Sequence, residues 1–380
     1  MKVSVPYLLK PLLILLIVFA LCWSCSTEKQ ENKASGIQIA LKLPPKEGNP
    51  RNSEGDFVRL KDGRILLVYT HFTGGGSDHA TAHLESRYSD DDGKTWSESD
   101  ELVVPNKDAM NIMSVSLIRL KNGKIALYYL QKTSDSDCIQ CIPYMRVSED
   151  EALSWGSPQR CIQDSGYFVM NNDRVVQLEN GRLLLPVSLH ACKPGGIESM
   201  GKIMCYYSDD GITWTRSAEA ANPEGVIEQE PGVVALKDGR LMLFCRTDGG
   251  VQYISYSKDH GETWSPLKPG NISSPVSPAS IERIPSTGDL LLVWNDHTNV
   301  KEENKGKRTP FNVAISKDDG KTWIKKKVIE NDPLGWYCYT AILFTDDHVL
   351  LSHCSDDLRQ TKHLQTTQIT RLSLDWIYEE

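Results

Sequence analysis

The chain has 380 residues, 40% hydrophobic and 24% charged, which supplies a large packed core and excludes a disordered chain. A formal net charge of −8 and a pI near 5.7, with no basic run interleaved with aromatics, exclude a nucleic-acid partner.

Residues 1–25 read as an export signal. Lys2 and Lys10 bracket the approach to an apolar run at 12–21, too short and too close to the terminus for a spanning helix. Cys22, Trp23, Ser24 and Cys25 follow, and small Ser24 before Cys25 resembles a bacterial lipoprotein signal. That resemblance implies lipidation at Cys25 and a chain held on a bacterial membrane, on the periplasmic or cell-surface side. Residues 26–40 are polar and charged and are expected to form a flexible tether, leaving 41–380 as one folded domain.

From residue 58 onward two short patterns alternate. The first is a turn between alternating apolar runs: Lys61-Asp62-Gly63-Arg64, then Lys121-Asn122-Gly123-Lys124, Glu179-Asn180-Gly181-Arg182 and Lys237-Asp238-Gly239-Arg240, with looser versions at Gly288 and Asp346. Asp-Gly and Asn-Gly in this setting specify a tight hairpin. The second pattern, S-x-D-x-G-x-T-W, follows a third alternating run: Ser89, Asp91, Gly93, Thr95 and Trp96, with close copies at 257–264 and 316–323. A copy at 208–214 is one residue shorter, and the copy at 148–155 has lost its glycine. Aspartate accepts hydrogen bonds from turn N–H groups, glycine supplies positive φ, and tryptophan anchors the turn. The tryptophans at 96, 155, 214, 264 and 323, with a sixth candidate at 376, lie 50 to 60 residues apart. Six units of four strands each predict an all-β fold, a six-bladed β-propeller of four-stranded antiparallel blades.

Cysteines add little. Cys138-x-x-Cys141 has no second pair at zinc-site spacing, so an exported chain points to one disulfide within 138–192 or to buried free thiols rather than to a metal.

The repeated box resembles the Asp box of the sialidase (neuraminidase) superfamily, over nearly all of the chain from about residue 45. Asp boxes alone imply a propeller, because binding propellers carry them too. Individual residues extend the resemblance. Glu230 precedes the hairpin that turns at Gly239 and Arg246 ends it, as a glutamate and a triad arginine do in that family. Arg308 precedes the strand into the last well-formed box. Tyr337, a better match than Tyr339, occupies the segment of the tyrosine nucleophile. Asp78, after Gly74, Gly75 and Gly76, stands where the family keeps its acid/base aspartate. The family's opening Arg-Ile-Pro is replaced by Arg51-Asn52-Ser53, with Glu54 and Asp56 adding negative charge nearby.

The resemblance implies an exo-acting glycoside hydrolase that releases terminal α-linked sialic acid with retention. Arginine forks recognise a planar carboxylate, which assigns Arg51, Arg246 and Arg308 to the substrate carboxylate. A carboxylate nucleophile would be repelled there, whereas a neutral tyrosine activated by a glutamate is not, and tyrosine-nucleophile sialidases depart from the two-carboxylate scheme in this way. Tyr337 is then the nucleophile, Glu230 its base, and Asp78, with its pKa raised by burial, the acid/base. His79 and Asp173 are possible substrate contacts, as are Asn111, Asn171 and Ser277 at the starts of inner strands. His190 and His297 are expected to be structural. No metal and no organic cofactor is needed. The expected partner is a glycan with an acidic terminal sugar, taken by a monomer that meets the membrane only through its lipid. Two alternatives stand beside this reading: a hydrolase for another acidic sugar of the uronate type, and a non-catalytic glycan-binding Asp-box propeller.

Overall fold

Each Asp box folds as one hydrogen-bonded unit. The Asp91 carboxylate accepts from Thr95 N at 2.8 Å, Thr95 Oγ1 at 2.6 Å and Ser89 Oγ at 3.0 Å, and Ser89 Oγ accepts from Gly93 N at 2.8 Å. Asp150, Asp210, Asp259 and Asp318 repeat the arrangement with their own serines. Where the glycine is missing, Ala152 takes its place with φ 66° and still donates to Ser148 Oγ at 2.8 Å. The boxes also latch neighbouring units: Glu151 accepts from Lys61 N at 2.8 Å and Asp319 from Lys237 N at 2.8 Å.

A computed structural model describes residues 1–3, 36–135, 138–193 and 196–379. Residues 4–25 of the expected signal segment, Cys25 among them, lie outside the described residues. Among the described residues the fold is all-β apart from a one-turn helix at Leu374–Tyr378 and a 3-10 turn at Glu302–Asn304. Four sheets have four strands each, starting with Arg51–Arg59, Glu228–Ala235, Ser280–Arg283 and Gly335–Phe344, and pair antiparallel throughout. The last of them borrows its outer strand, Ile37–Leu43, from the chain start. The tether expected to reach residue 40 therefore ends earlier, because Ile37, Gln38 and Ile39 already pair with Leu372, Arg371 and Thr370.

The second and third units share one nine-stranded sheet instead of forming separate four-stranded ones. Tyr167–Val169 joins them, pairing parallel with Cys138–Ser148 and antiparallel with Leu183–Lys193. A disulfide between Cys138 and Cys192 ties the same two hairpins. The first strand of each unit lies innermost, and Arg51–Arg59 touches both Asn111–Arg119 and Gly335–Phe344, so the last sheet closes against the first.

These inner strands are not regular. Register slips between Ser53 and Asp56, Met113 and Ser116, Gln229 and Gly232, and Cys338 and Ala341. Inside those bulges Glu54, Ser114, Glu230 and Tyr339 have φ of 52°, 64°, 51° and 57°. A bulge frees ladder groups, and side chains from neighbouring strands satisfy them. Asn172 Nδ2 donates to Gly55 O at 2.9 Å and Tyr339 O at 3.1 Å, Ser280 Oγ to Thr340 O at 2.5 Å, and Asp56 accepts from Leu117 N at 2.6 Å.

Replacing Asp259 by alanine removes three hydrogen bonds from one box. The expected loss is about 1–2 kcal/mol near neutral pH, read as a lower melting temperature. Local hydrogen bonds outweigh partial burial and hold this carboxyl at about 2, so the deficit persists above the ordinary carboxylate range and closes as pH falls through about 2.

Candidate active site

The four bulge residues open onto one pocket of about 140 Å³. Glu54, Ser114, Glu230 and Tyr339 line it together with Asp78, Lys132, Tyr167, Asn171, His190 and Arg246. The two hairpins tied by the disulfide supply one wall, contributing Lys132, Cys141, His190 and Ile197.

Tyr339, not Tyr337, is the tyrosine of the site. In a regular strand the two would share a face, but the slip after Cys338 and the positive φ of Tyr339 turn the second ring into the pocket. The Tyr339 hydroxyl donates to Glu230 Oε1 at 3.3 Å, and the same oxygen lies 3.1 Å from Arg246 Nη2. Tyr337 instead stacks on Phe311 at 5.8 Å within an apolar cluster, its phenol pushed up by burial and by Glu330. Burial also pushes the Tyr339 phenol up, which keeps the hydroxyl protonated, with Glu230 as the acceptor it faces.

Arg246 and Arg308 flank that pair. Arg246 Nε donates to Gln229 Oε1 at 3.0 Å, a contact set by the cross-strand register of Gln229 and Arg246. The Arg308 guanidinium packs 5.2 Å from the Tyr339 ring and 5.5 Å from Trp336. It is 8% exposed and joins no ion pair among the described residues. Each arginine keeps a buried Nη1 without a partner, and Glu230 Oε2 is equally unpaired. Unsatisfied buried donors of this kind are where a ligand's acceptors belong.

Arg51 is used differently from expectation. Its Nη1 donates to Asp78 Oδ1 at 2.6 Å and Gly76 O at 3.1 Å, its Nη2 to Glu54 Oε1 at 3.1 Å, and its Nε to Ser53 Oγ at 3.0 Å, over the Phe72 ring. The guanidinium holds the Asp78 loop and is not free for a substrate carboxylate. Lys132 adds a second tie, donating from Nζ to Asp78 O at 2.7 Å. Burial pushes the Asp78 carboxyl up, but Arg51 and Lys132 outweigh it and hold the group below the usual range, the reverse of the expected rise. Glu54 is the raised carboxyl: burial, only partly opposed by Arg51, takes it to about 7.

The remaining candidates divide. His79 reaches the pocket edge, with Nε2 3.1 Å from the Tyr167 hydroxyl. Asn171 lines the pocket with an unpartnered Nδ2, and His190 lines it too, fixed by Ser188 Oγ at 2.8 Å and Glu198 O at 2.9 Å. Asp173 does not: its carboxylate accepts from Ile342 N at 2.9 Å, and it lines a separate cavity of about 760 Å³ with Asp56, Arg174 and Glu282. Asp56 therefore does not crowd the site, whereas Glu54 does. Asn111 and Ser277 are spent on Ala80 O and Asn295 Oδ1, and His297 on Lys307 O. Lys132, Tyr167 and Ser114 were missed; they sit on hairpin walls and a bulge that no motif marks.

A family model described as BNR repeat-like domain matches residues 75–351. The chain belongs to that family, within the sialidase-like superfamily. A sialidase from Clostridium perfringens is 23% identical over 233 residues, covering 56% of this chain and 60% of that protein. The anhydrosialidase of Macrobdella decora is 28% identical over 202 residues, 49% of this chain and 25% of that one. The chain thus spans about 60% of the clostridial relative's length and less of the leech one's. Among solved structures, the NanB sialidase of Streptococcus pneumoniae superposes with a TM-score of 0.69 at 15% identity, over 90% of this chain and 71% of that one. A Dyadobacter fermentans protein described as of unknown function superposes with a TM-score of 0.70 at 19% identity, over 89% of this chain and 99% of its own. The BNR-family fold is therefore that of the sialidase β-propellers.

A raised Glu54 pKa has a consequence for stability. The group favours the folded state below the ordinary glutamate range, and that contribution disappears as pH rises through about 7. Glu54→Gln is expected to melt progressively higher than the parent between pH 5 and pH 8, by thermal denaturation at matched ionic strength. A difference that shrinks over that interval contradicts the assignment.

Proposed function

We propose that this member of the sialidase-like superfamily is an exo-acting, retaining glycoside hydrolase that releases terminal α-linked sialic acid, using Tyr339 as nucleophile. The observation that carries this reading is the chain Arg308, Tyr339, Glu230, Arg246, in which a phenol contacts its base between two arginines with free donors. Arg246 and Arg308 take the substrate carboxylate by paired, charge-assisted hydrogen bonds. Tyr339 oxygen attacks the anomeric carbon while its proton passes to Glu230, and the bond to the leaving oxygen breaks as that oxygen is protonated. Asp78 shares the acid/base role with Glu54, which lies on the same arginine. Glu54, raised to about 7, gives its proton to the leaving oxygen in the first step; Asp78, ionised at rest, takes a proton from the attacking water in the second, and passage of that proton from Asp78 to Glu54 restores both carboxyls. Water then replaces Tyr339 on the anomeric carbon, and Glu230 returns the proton to the phenol. A pocket of about 140 Å³ leaves no room for a run of sugars.

The five sheets read as six blades, the nine-stranded sheet being two blades fused through Tyr167–Val169. Export to the periplasm or cell surface on a lipid at Cys25, as a monomer, completes the proposal; the Cys138–Cys192 disulfide supports an oxidising compartment.

One observation favours a second reading. With Arg51 occupied and Glu54 in the pocket, two arginines and a carboxyl replace an arginine triad, which suits another acidic sugar such as a uronic acid. The test is hydrolysis of a fluorogenic α-sialoside and a uronide panel by the parent, Tyr339→Phe and Tyr337→Phe. Tyr339→Phe is expected to lose about two to three orders of magnitude in kcat/KM, with Tyr337→Phe close to the parent. Turnover of a uronide alone selects the second reading, and a folded parent inert on every acidic glycoside defeats both.

A further inference from the structure

The loop that carries Asp78 stands on a hairpin stem formed by Ile65–Phe72 and Ala82–Ser89. On its last rungs His71 lies directly opposite His83, and Glu85 follows two residues on, on the face of His83. The imidazoles stack at 4.9 Å, 19° apart, and both are aimed at the Glu85 carboxylate. His83 Nε2 is 2.8 Å from Glu85 Oε1, and His71 Nδ1 is 2.8 Å from Glu85 Oε2. All three ligand groups fall within 4.8 Å of one another.

The second of these contacts is off-line. His71 Nδ1 and Glu85 Oε2 are buried and 2.8 Å apart, an ion-pair distance, but the contact lacks the alignment of a well-formed hydrogen bond. A proton bridges two lone pairs only along the line between them. A metal ion needs no such line, because it sits off it, where the donors converge. Two imidazoles and one carboxylate are a borderline-soft set, suited to zinc, with one position left for water. His83 and Glu85 are partly exposed, at 21% and 15%, which leaves an entry path for the ion.

We propose that His71, His83 and Glu85 form a divalent-cation site of the zinc class that clamps the stem of the Asp78 loop. Donors 2.8 Å apart need to part by roughly half an ångström to reach tetrahedral spacing, a shift within side-chain rotation. The consequence for the active site is positional. His71 precedes Phe72, whose ring lies 4.3 Å under the Arg51 guanidinium that holds Asp78. Cross-linking both strands at this rung fixes the two ends of the loop at residues 73–81 without touching the substrate pocket.

The test is zinc binding to the purified full chain after chelator treatment, by equilibrium dialysis against zinc chloride, beside His83→Ala and Glu85→Gln. The parent is expected to bind one zinc more than either variant, with the variants at least about tenfold weaker at that step. Equal binding by all three, or none by the parent, overturns the site. The visible spectrum of the parent loaded with Co²⁺ gives an answer that depends on no variant. Intense bands of a four- or five-coordinate ion support the site, and the weak spectrum of the hydrated ion overturns it. Both readouts are independent of glycosidase activity.

Discussion

A bulge in an inner strand moves one residue out of the pleat, and here four of the inner strands do so at corresponding heights. Glu54, Ser114, Glu230 and Tyr339 are the displaced residues, all with positive φ and all in one pocket. Left-handed conformations cost non-glycine residues about 1–2 kcal/mol each, so such a set persists only where neighbours over-determine it. They do: Asn172 takes the carbonyls of Gly55 and Tyr339, Ser114 Oγ reaches Met170 O, and Asp56 and Asp173 accept from Leu117 and Ile342. The polar residues below the pocket floor hold strands together, which leaves those above it free to meet a ligand.

Charge is distributed on the same plan. Arg51 is consumed by Asp78 and Glu54 and stiffens the loop, while Arg246 and Arg308 retain free buried donors. One arginine is fully used and two are partly used, so the free donors beside Tyr339 and Glu230 are directional rather than a diffuse positive charge. Two nearby carboxyls on one guanidinium are driven apart, Asp78 downward and Glu54 to about 7, which gives the pocket both an ionised and a protonated carboxyl near neutrality.

Much of this was legible in the sequence. The boxes and Asn-Gly or Asp-Gly hairpins encode their geometry locally, within eight residues, and they fold as read. The pairing of Glu230 with Arg246 was legible because a hairpin of known turn fixes its own register, and Gln229 indeed faces Arg246. What could not be read was the choice between Tyr337 and Tyr339. Period-two alternation gives both the same face, and the bulge that separates them has no glycine or other marker to announce it. The same blindness misplaced Asp56, which lies past its bulge, and Asp173, which has φ 55° between two short strands; both face the far cavity. Lys132 and Tyr167 enter from hairpins of other units, a tertiary fact with no local signal.

The central claim, that the bulge delivers Tyr339 as the nucleophile, is tested most directly by trapping the glycosyl enzyme. A fluorinated sialosyl fluoride slows breakdown of such an intermediate, and peptide mass mapping then locates the sugar. The account predicts one adduct, on Tyr339. An adduct on Tyr337 or on a carboxylate, or no adduct on a folded protein that turns over α-sialosides, would contradict it.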